Sequence, residues 1–266
     1  MDEHNMEVIV CPDAARAVTL VAALLETRLR TQPALVLGLA TGRTMERVYV
    51  ELVASGVSFG DVTTFNLDEY IGLRANHPNS YRRYMEDHLF SRVDIDPANT
   101  HVPAGDAVDL AAAAADYERR ITLAGGIDMQ LLGIGEAGHI GFNEPLSSLA
   151  SRTRDKCLTP TTRKQNAAMF GGDPMSVPSR ALTMGVGTIL EARELILLAT
   201  GEAKASIVAR AIEGPISSMV SASALQLHAN CKVIVDEAAG SELGGREYYD
   251  FVFANEPAWS AYRDFG

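Results

Sequence analysis

The chain has 266 residues, 47% hydrophobic and 21% charged, which is enough apolar material for one sizeable core. A formal net charge of −11 is the wrong sign for a nucleic-acid or membrane-surface partner. It does not exclude a small anionic substrate, because a few backbone N–H groups and cations hold one phosphate inside an acidic protein.

The opening, Met1-Asp2-Glu3-His4-Asn5, is acidic and polar, unlike a signal peptide, and no apolar run reaches the length of a bilayer span. Residues 7–11 read as a short β-branched strand, after which Asp13 caps an alanine- and leucine-rich helix running to about residue 31. Pro33 resets the chain before a second buried strand, 34–39, which ends in Thr41-Gly42-Arg43-Thr44 and an amphipathic segment, 45–54. A third strand, 62–66, runs out at Asp68-Glu69, and helices are predicted over 81–90 and 107–123. The apolar run 127–132 has the character of a buried strand and breaks into glycines.

Further on, 181–192 mixes strand and turn signals, 194–200 is a clear strand and 202–212 a helix. Residues 231–236 form the last strand, and an aromatic, acidic helix follows from residue 244. Strands alternating with helices predict an α/β fold: one domain over 1–266 with an open, mainly parallel Rossmann-like sheet and helices on both faces. Cys11, Cys157 and Cys231 are scattered without metal-like spacing, as expected for reduced thiols in a cytoplasmic protein.

Three strand-end loops hold the unusual polar residues. Gly133, Gly135 and Gly138 spell G-x-G-x-x-G, but a dinucleotide site needs a helix at once, and Gly141 and Pro145 interrupt one. His139 and Glu144 are therefore placed on a loop at the carboxyl end of a strand, where open α/β sheets bind ligands. A carboxylate can orient a histidine and hold its imidazolium, so that the ring exchanges protons with a substrate oxygen. The plainer reading is a glycine turn with a structural histidine.

Thr41 to Thr44 offer free N–H groups at a helix start, two hydroxyls and an arginine, which is a phosphate cradle or a plain capped turn. Asp68 and Glu69 are adjacent acids after a buried strand. Burial and mutual repulsion raise a carboxyl pKa, so one of them can serve as a proton acceptor near neutrality, or Asp68 merely caps a turn.

Taken together the loops resemble the glucosamine-6-phosphate deaminase (isomerase) family over nearly the whole chain. The runs that carry the resemblance are Leu39-Ala40-Thr41-Gly42, Phe65-Asn66-Leu67-Asp68-Glu69-Tyr70, His77-Pro78-Asn79-Ser80-Tyr81 and Gly138-His139-Ile140-Gly141-Phe142-Asn143-Glu144-Pro145. Later runs, 147–154 and 181–188, fall in the same order. The resemblance implies a cofactor- and metal-free conversion of an amino-sugar phosphate to fructose 6-phosphate and ammonia. In it His139 opens the pyranose ring, Asp68 carries a proton between C2 and C1, and Glu144 supports His139. Thr41, Gly42, Arg43, Thr44, Glu69 and Lys204 would hold the substrate.

Two departures stand out. Members often carry Asp or Asn, a partner for the histidine, where this chain has Ala137. Ala168 stands where the family usually places a phosphate-binding arginine, and Arg43 is expected to supply that guanidinium instead. Arg152, Arg154 and Lys156 alternate, so an extended strand would put them in one anion-binding row. Ser147, Arg154 and Lys156 match positions that bind an N-acetylglucosamine 6-phosphate activator in allosteric members. A homo-oligomer, often a hexamer, is likewise implied by the resemblance. The alternatives are a galactosamine 6-phosphate enzyme, a 6-phosphogluconolactonase and a sugar-phosphate sensor without turnover.

Overall fold

A computed structural model describes residues 6–265, so the polar opening of the chain lies outside the described residues. β1 (Met6–Cys11) leads into α1 (Ala14–Thr31), β2 (Val36–Leu39) into α2 (Arg43–Ser55), and β3 (Thr63–Asn66) into β4 (Asp68–Tyr70). α3 (Tyr81–His88), β5 (Thr100–His101), α4 (Leu110–Leu123) and β6 (Met129–Leu132) follow. Past a long loop come β7 (Arg154–Cys157), α5 (Pro160–Asn166), β8 (Arg180–Thr183) and α6 (Val186–Leu190). β9 (Glu194–Ala199), α7 (Ala205–Ile212), β10 (Cys231–Asp236) and α8 (Arg246–Asn255) complete the order.

The main sheet has seven parallel strands in the order β1-β10-β9-β6-β2-β3-β5. Its central strands are apolar on both faces because helices cover both: all six residues of β9 are buried, as are all four of β6 and of β2. α1 shows how the helices attach. Asp13 accepts a hydrogen bond from the Arg16 N–H at 2.8 Å and fixes the start, while Val18, Val21, Leu25 and Leu29 form a buried stripe. Each such side chain contributes about 2 kcal/mol on leaving water. The amino-terminal end of the sheet is closed by buried Glu194, which pairs with Arg28 and, at 2.6 Å, with Lys232.

A second, three-stranded antiparallel sheet, β4-β8-β7, departs from the sequence reading. Residues 68–70 are not a loop at the end of β3 but a strand of their own, in register with β8 through Asp68↔Thr183 and Tyr70↔Ala181. Leu67 alone makes the transfer. Its N–H donates to Leu39 O of the main sheet at 3.2 Å, and its carbonyl accepts from the Met184 N–H beside the small sheet at 2.7 Å. Among the other predicted elements the changes are at the edges. The helix expected from residue 107 begins at Leu110, because Asp109 caps it through the Ala112 N–H, 2.9 Å. β5 and α5 were not anticipated, since two and seven residues are too few to show a period. No helix among the described residues is long and apolar enough to cross a membrane.

Candidate active site

The long loop after β6 leaves the main sheet at its carboxyl edge, between β2 and β9. It folds back on itself: the Gly135 N–H donates to His139 O and the Gly138 N–H to Gly135 O, both at 2.9 Å. This turn lays the imidazole of His139 over Gly135, where a Cβ would stand 2.1 Å from Nε2. The loop is then stapled from several directions. Asn143 Nδ2 donates to Ile140 O and Met184 O, each at 2.9 Å, and Ser221 Oγ donates to Asn143 O at 2.8 Å.

His139 and Glu144 do meet. Nδ1 lies 3.6 Å from Glu144 Oε2 inside the protein, a distance for an ion pair rather than a hydrogen bond, and among the described residues Nδ1 has no hydrogen-bond partner. Burial pushes the His139 pKa below its ordinary value, and the nearby Glu144 carboxylate opposes that only in part. Burial therefore disfavours the imidazolium, while the Glu144 carboxylate stands ready as a charge partner when the ring takes up a proton. Glu144 is itself aimed by α5: Thr159 donates its N–H to Oε1 at 2.8 Å and its hydroxyl to Oε2 at 3.3 Å. Thr159 is also the cap of that helix, followed by Pro160. A capping threonine before proline is a helix-start signal that could have revealed this support from sequence.

Adjacent Asp68 and Glu69 part company, because successive residues of a strand face opposite ways. Asp68 turns toward the loop: a Cβ on Gly141 would be 3.4 Å from its Oδ2. Its pKa is pushed up to about 8, first by burial and then by the Glu69 charge, while the Phe142 N–H works the other way. Glu69 was expected to bind substrate. Instead Oε1 accepts the N–H groups of Tyr70 (2.8 Å) and Tyr81 (2.9 Å), and Oε2 that of Arg82 (3.0 Å). Its carboxylate anchors the start of α3, where a helix N-terminus favours negative charge.

Thr41 to Thr44 follow β2, the strand paired with β6, and lead into α2. Gly42 has φ 119°, a conformation that favours glycine, and the helix start carries no side-chain cap, so its first N–H groups stay available. The Tyr84 hydroxyl donates to Gly42 O at 2.8 Å, which ties this turn to α3. Arg43 is exposed at the first helical position. Lys204 donates Nζ to Ile134 O at 2.9 Å beside the His139 loop, and burial lowers its pKa.

The residues expected to form an activator row do not all align. Arg154 and Lys156 sit on β7 opposite Thr183 and Ala181, on one face of the small sheet. Arg152 precedes the strand and is held between Glu118 and Glu191, each at 2.6 Å, so it leaves the row. Ser147 is buried and donates its hydroxyl to Glu144 O at 2.7 Å. Gly135, Thr159, Asn143 and Thr183 are the contributors that sequence reasoning missed; Gly135 was noticed, but only as a turn.

Fold and site together define a Rossmann-like α/β protein that gathers buried Asp68 and the His139–Glu144 couple at the carboxyl edge of its sheet. The model of the glucosamine-6-phosphate isomerases/6-phosphogluconolactonase family matches residues 13–233, and the chain belongs to that family. It is 50% identical over 253 residues to a glucosamine-6-phosphate deaminase of Shewanella loihica, covering 94% of each chain. A solved glucosamine-6-phosphate deaminase described as monomeric superposes with TM-score 0.86 at 42% identity, over 89% of this chain and all of that one. The 6-phosphogluconolactonase of Trypanosoma cruzi shares the fold, with TM-score 0.73 at 20% identity over 91% of this chain and 98% of its own.

Proposed function

We propose that the protein is a glucosamine-6-phosphate deaminase that needs no cofactor and converts glucosamine 6-phosphate to fructose 6-phosphate and ammonia. The observation that carries this reading is the convergence of Asp68, held near a pKa of 8, and the His139–Glu144 couple on one glycine loop. Ring opening needs a proton moved from the anomeric hydroxyl to the ring oxygen. A neutral imidazole with a carboxylate behind it can accept that proton and return it. Asp68 then takes the C2 proton as a base while O1 gains the proton given up by the substrate's own ammonium, which leaves an enolamine; Asp68 returns its proton to C1, and the enolamine becomes an iminium at C2. Water adds to that carbon and ammonia departs. A carboxyl whose pKa lies near the working pH can both remove and return a proton, which an ordinary aspartate does poorly.

The phosphate is assigned to the open N-terminus of α2, with the Thr41 and Thr44 hydroxyls, the Arg43 guanidinium and Lys204. The direct assay is release of ammonia and fructose 6-phosphate from glucosamine 6-phosphate. Equal yields of both are expected. Release from the galactosamine isomer alone, lactone hydrolysis alone, or binding without turnover would each overturn the assignment. Arg43→Ala is expected to raise KM about tenfold while kcat changes little, since it removes one charge-assisted contact distant from C1 and C2. An unchanged KM would remove Arg43 from the phosphate site.

An activator site for a sugar phosphate such as N-acetylglucosamine 6-phosphate is the finer part of this proposal. Its support is the half-buried Arg154 guanidinium, which among the described residues meets only neutral acceptors, Asn143 Oδ1 at 2.8 Å and Arg152 O at 3.4 Å, with Lys156 on the same strand face. The homo-oligomer implied by the resemblance belongs to the same proposal.

A further inference from the structure

The small sheet contains a row that the proposed chemistry has not used. Asp68 on β4, Thr183 on β8 and Arg154 on β7 are direct cross-strand neighbours, so their side chains share one face. The catalytic loop crosses that face at Gly141. A Cβ at Gly141 would meet Thr183 Oγ1 at 3.1 Å, Asp68 Oδ2 at 3.4 Å and Asn143 Nδ2 at 3.5 Å. Three polar groups therefore crowd one backbone position, which has φ 53° and is kept free by glycine.

The next residue of the loop supplies one donor to this crowd. The Phe142 N–H donates to Thr183 Oγ1 at 3.0 Å, although it also faces the Asp68 carboxylate. Thr183 is completely buried, and among the described residues its own hydroxyl proton has only a long contact, 3.3 Å, to Met184 O. A hydroxyl in so constrained a place is there either to satisfy Phe142 or to take that donor from a competitor.

We infer that Thr183 is a positioning residue for Asp68: its hydroxyl draws off the Phe142 N–H that would otherwise bind the carboxylate alone. The inference rests on Asp68 being the proton carrier. An N–H hydrogen bond to a carboxylate favours the charged form, so sharing that donor keeps the base protonatable near neutrality. The other ionisable groups around Asp68 are placed differently. Glu69 follows it in β4 and raises its pKa, while Tyr70, Tyr81 on α3 and Tyr117 on α4 are buried phenols with their own pKa values pushed up. Arg154 stands across Thr183 with its Nη1 on Asn143, and the loop carries His139. None of these groups is within Thr183's power to change. The one donor it holds is.

The test is the pH profile of kcat/KM for Thr183→Val and Thr183→Ser beside the unaltered enzyme and Asp68→Asn. Valine keeps the shape and removes the acceptor, so Phe142 is free to serve Asp68. The rising limb is expected to move about one unit toward acid, the size expected for one more N–H hydrogen bond to a carboxylate. Serine keeps the hydroxyl and should hold the original position. Thr183→Ala, which lacks the acceptor too, carries the same expectation should valine fail to pack. A limb that stays in place with valine and alanine, or a serine variant that shifts with them, would overturn the role of Thr183. Retained turnover in Asp68→Asn would instead overturn the reading on which it rests.

Discussion

Asp68→Asn is expected to lower kcat by about a thousandfold with little change in KM, the usual scale for removing a general base. Asparagine keeps the shape and can still accept the Phe142 N–H, so what disappears is the capacity to carry a proton. The intact enzyme should show a matching pH dependence. A base must be ionised to act, and the Asp68 pKa is about 8 rather than the ordinary 3.8, so kcat/KM rises with pH through about 8. Stability runs in the opposite sense. Between pH 3.8 and about 8 the folded protein holds a proton that the unfolded chain has released, so stability contributed by this group is lost as pH rises through that window. Asp68→Asn should therefore melt higher than the parent above pH 8, and the two should converge toward pH 4. Equal melting at pH 9 would show that the carboxyl is not held out of water as described. The expected gain of stability on loss of function is the mark of a site kept for chemistry.

Gly135→Ala should cost nearly as much activity as His139→Gln, about a hundredfold each, although residue 135 need never touch substrate. The added methyl would lie 2.1 Å from His139 Nε2, so the imidazole must leave its place against the loop and give up its station near Glu144. Gly135 does not have a positive φ, so the loss would come from the displaced ring and not from a strained backbone. The decisive comparison is the double variant. If Gly135 acts through His139, adding Gly135→Ala to His139→Gln should cost almost nothing more, since residues that act as one unit are not additive. A fully additive loss, or an active Gly135→Ala enzyme, would separate the two residues.

The central strands were legible in the sequence because burial on both faces writes a continuous apolar run, as in 195–199 and 233–235. The loop bearing His139 and Glu144 was legible for a different reason: glycines and a proline exclude a helix after a buried strand. The small sheet was not legible. Each of its strands is three or four residues long, and each is defined by partners far away in the chain, Asp68 by Thr183 and Thr183 by Arg154. Arg152 shows the same limit, for alternation put it with Arg154 while the carboxylates of Glu118 and Glu191 hold it elsewhere. Gly135 showed its presence but not its purpose. What looks like a piece of a phosphate-binding fingerprint is the floor beneath a histidine ring.

The single residue between the two sheets, Leu67, has a consequence for how this site could arise or be lost. Asp68 and Glu69 are near equals as acids, and what separates them is odd or even position beyond that hinge. Inserting one residue at Leu67 while keeping the strand paired with β8 would reverse the parity, sending glutamate toward the crevice and aspartate toward the backbone amides of α3. The longer acid would overreach the substrate, and the shorter one would fall short of the helix. Substitutions can adjust such a site by degrees, but a change of length here is all or nothing. The hinge should therefore tolerate exchanges of Leu67 for other apolar residues far better than any insertion or deletion.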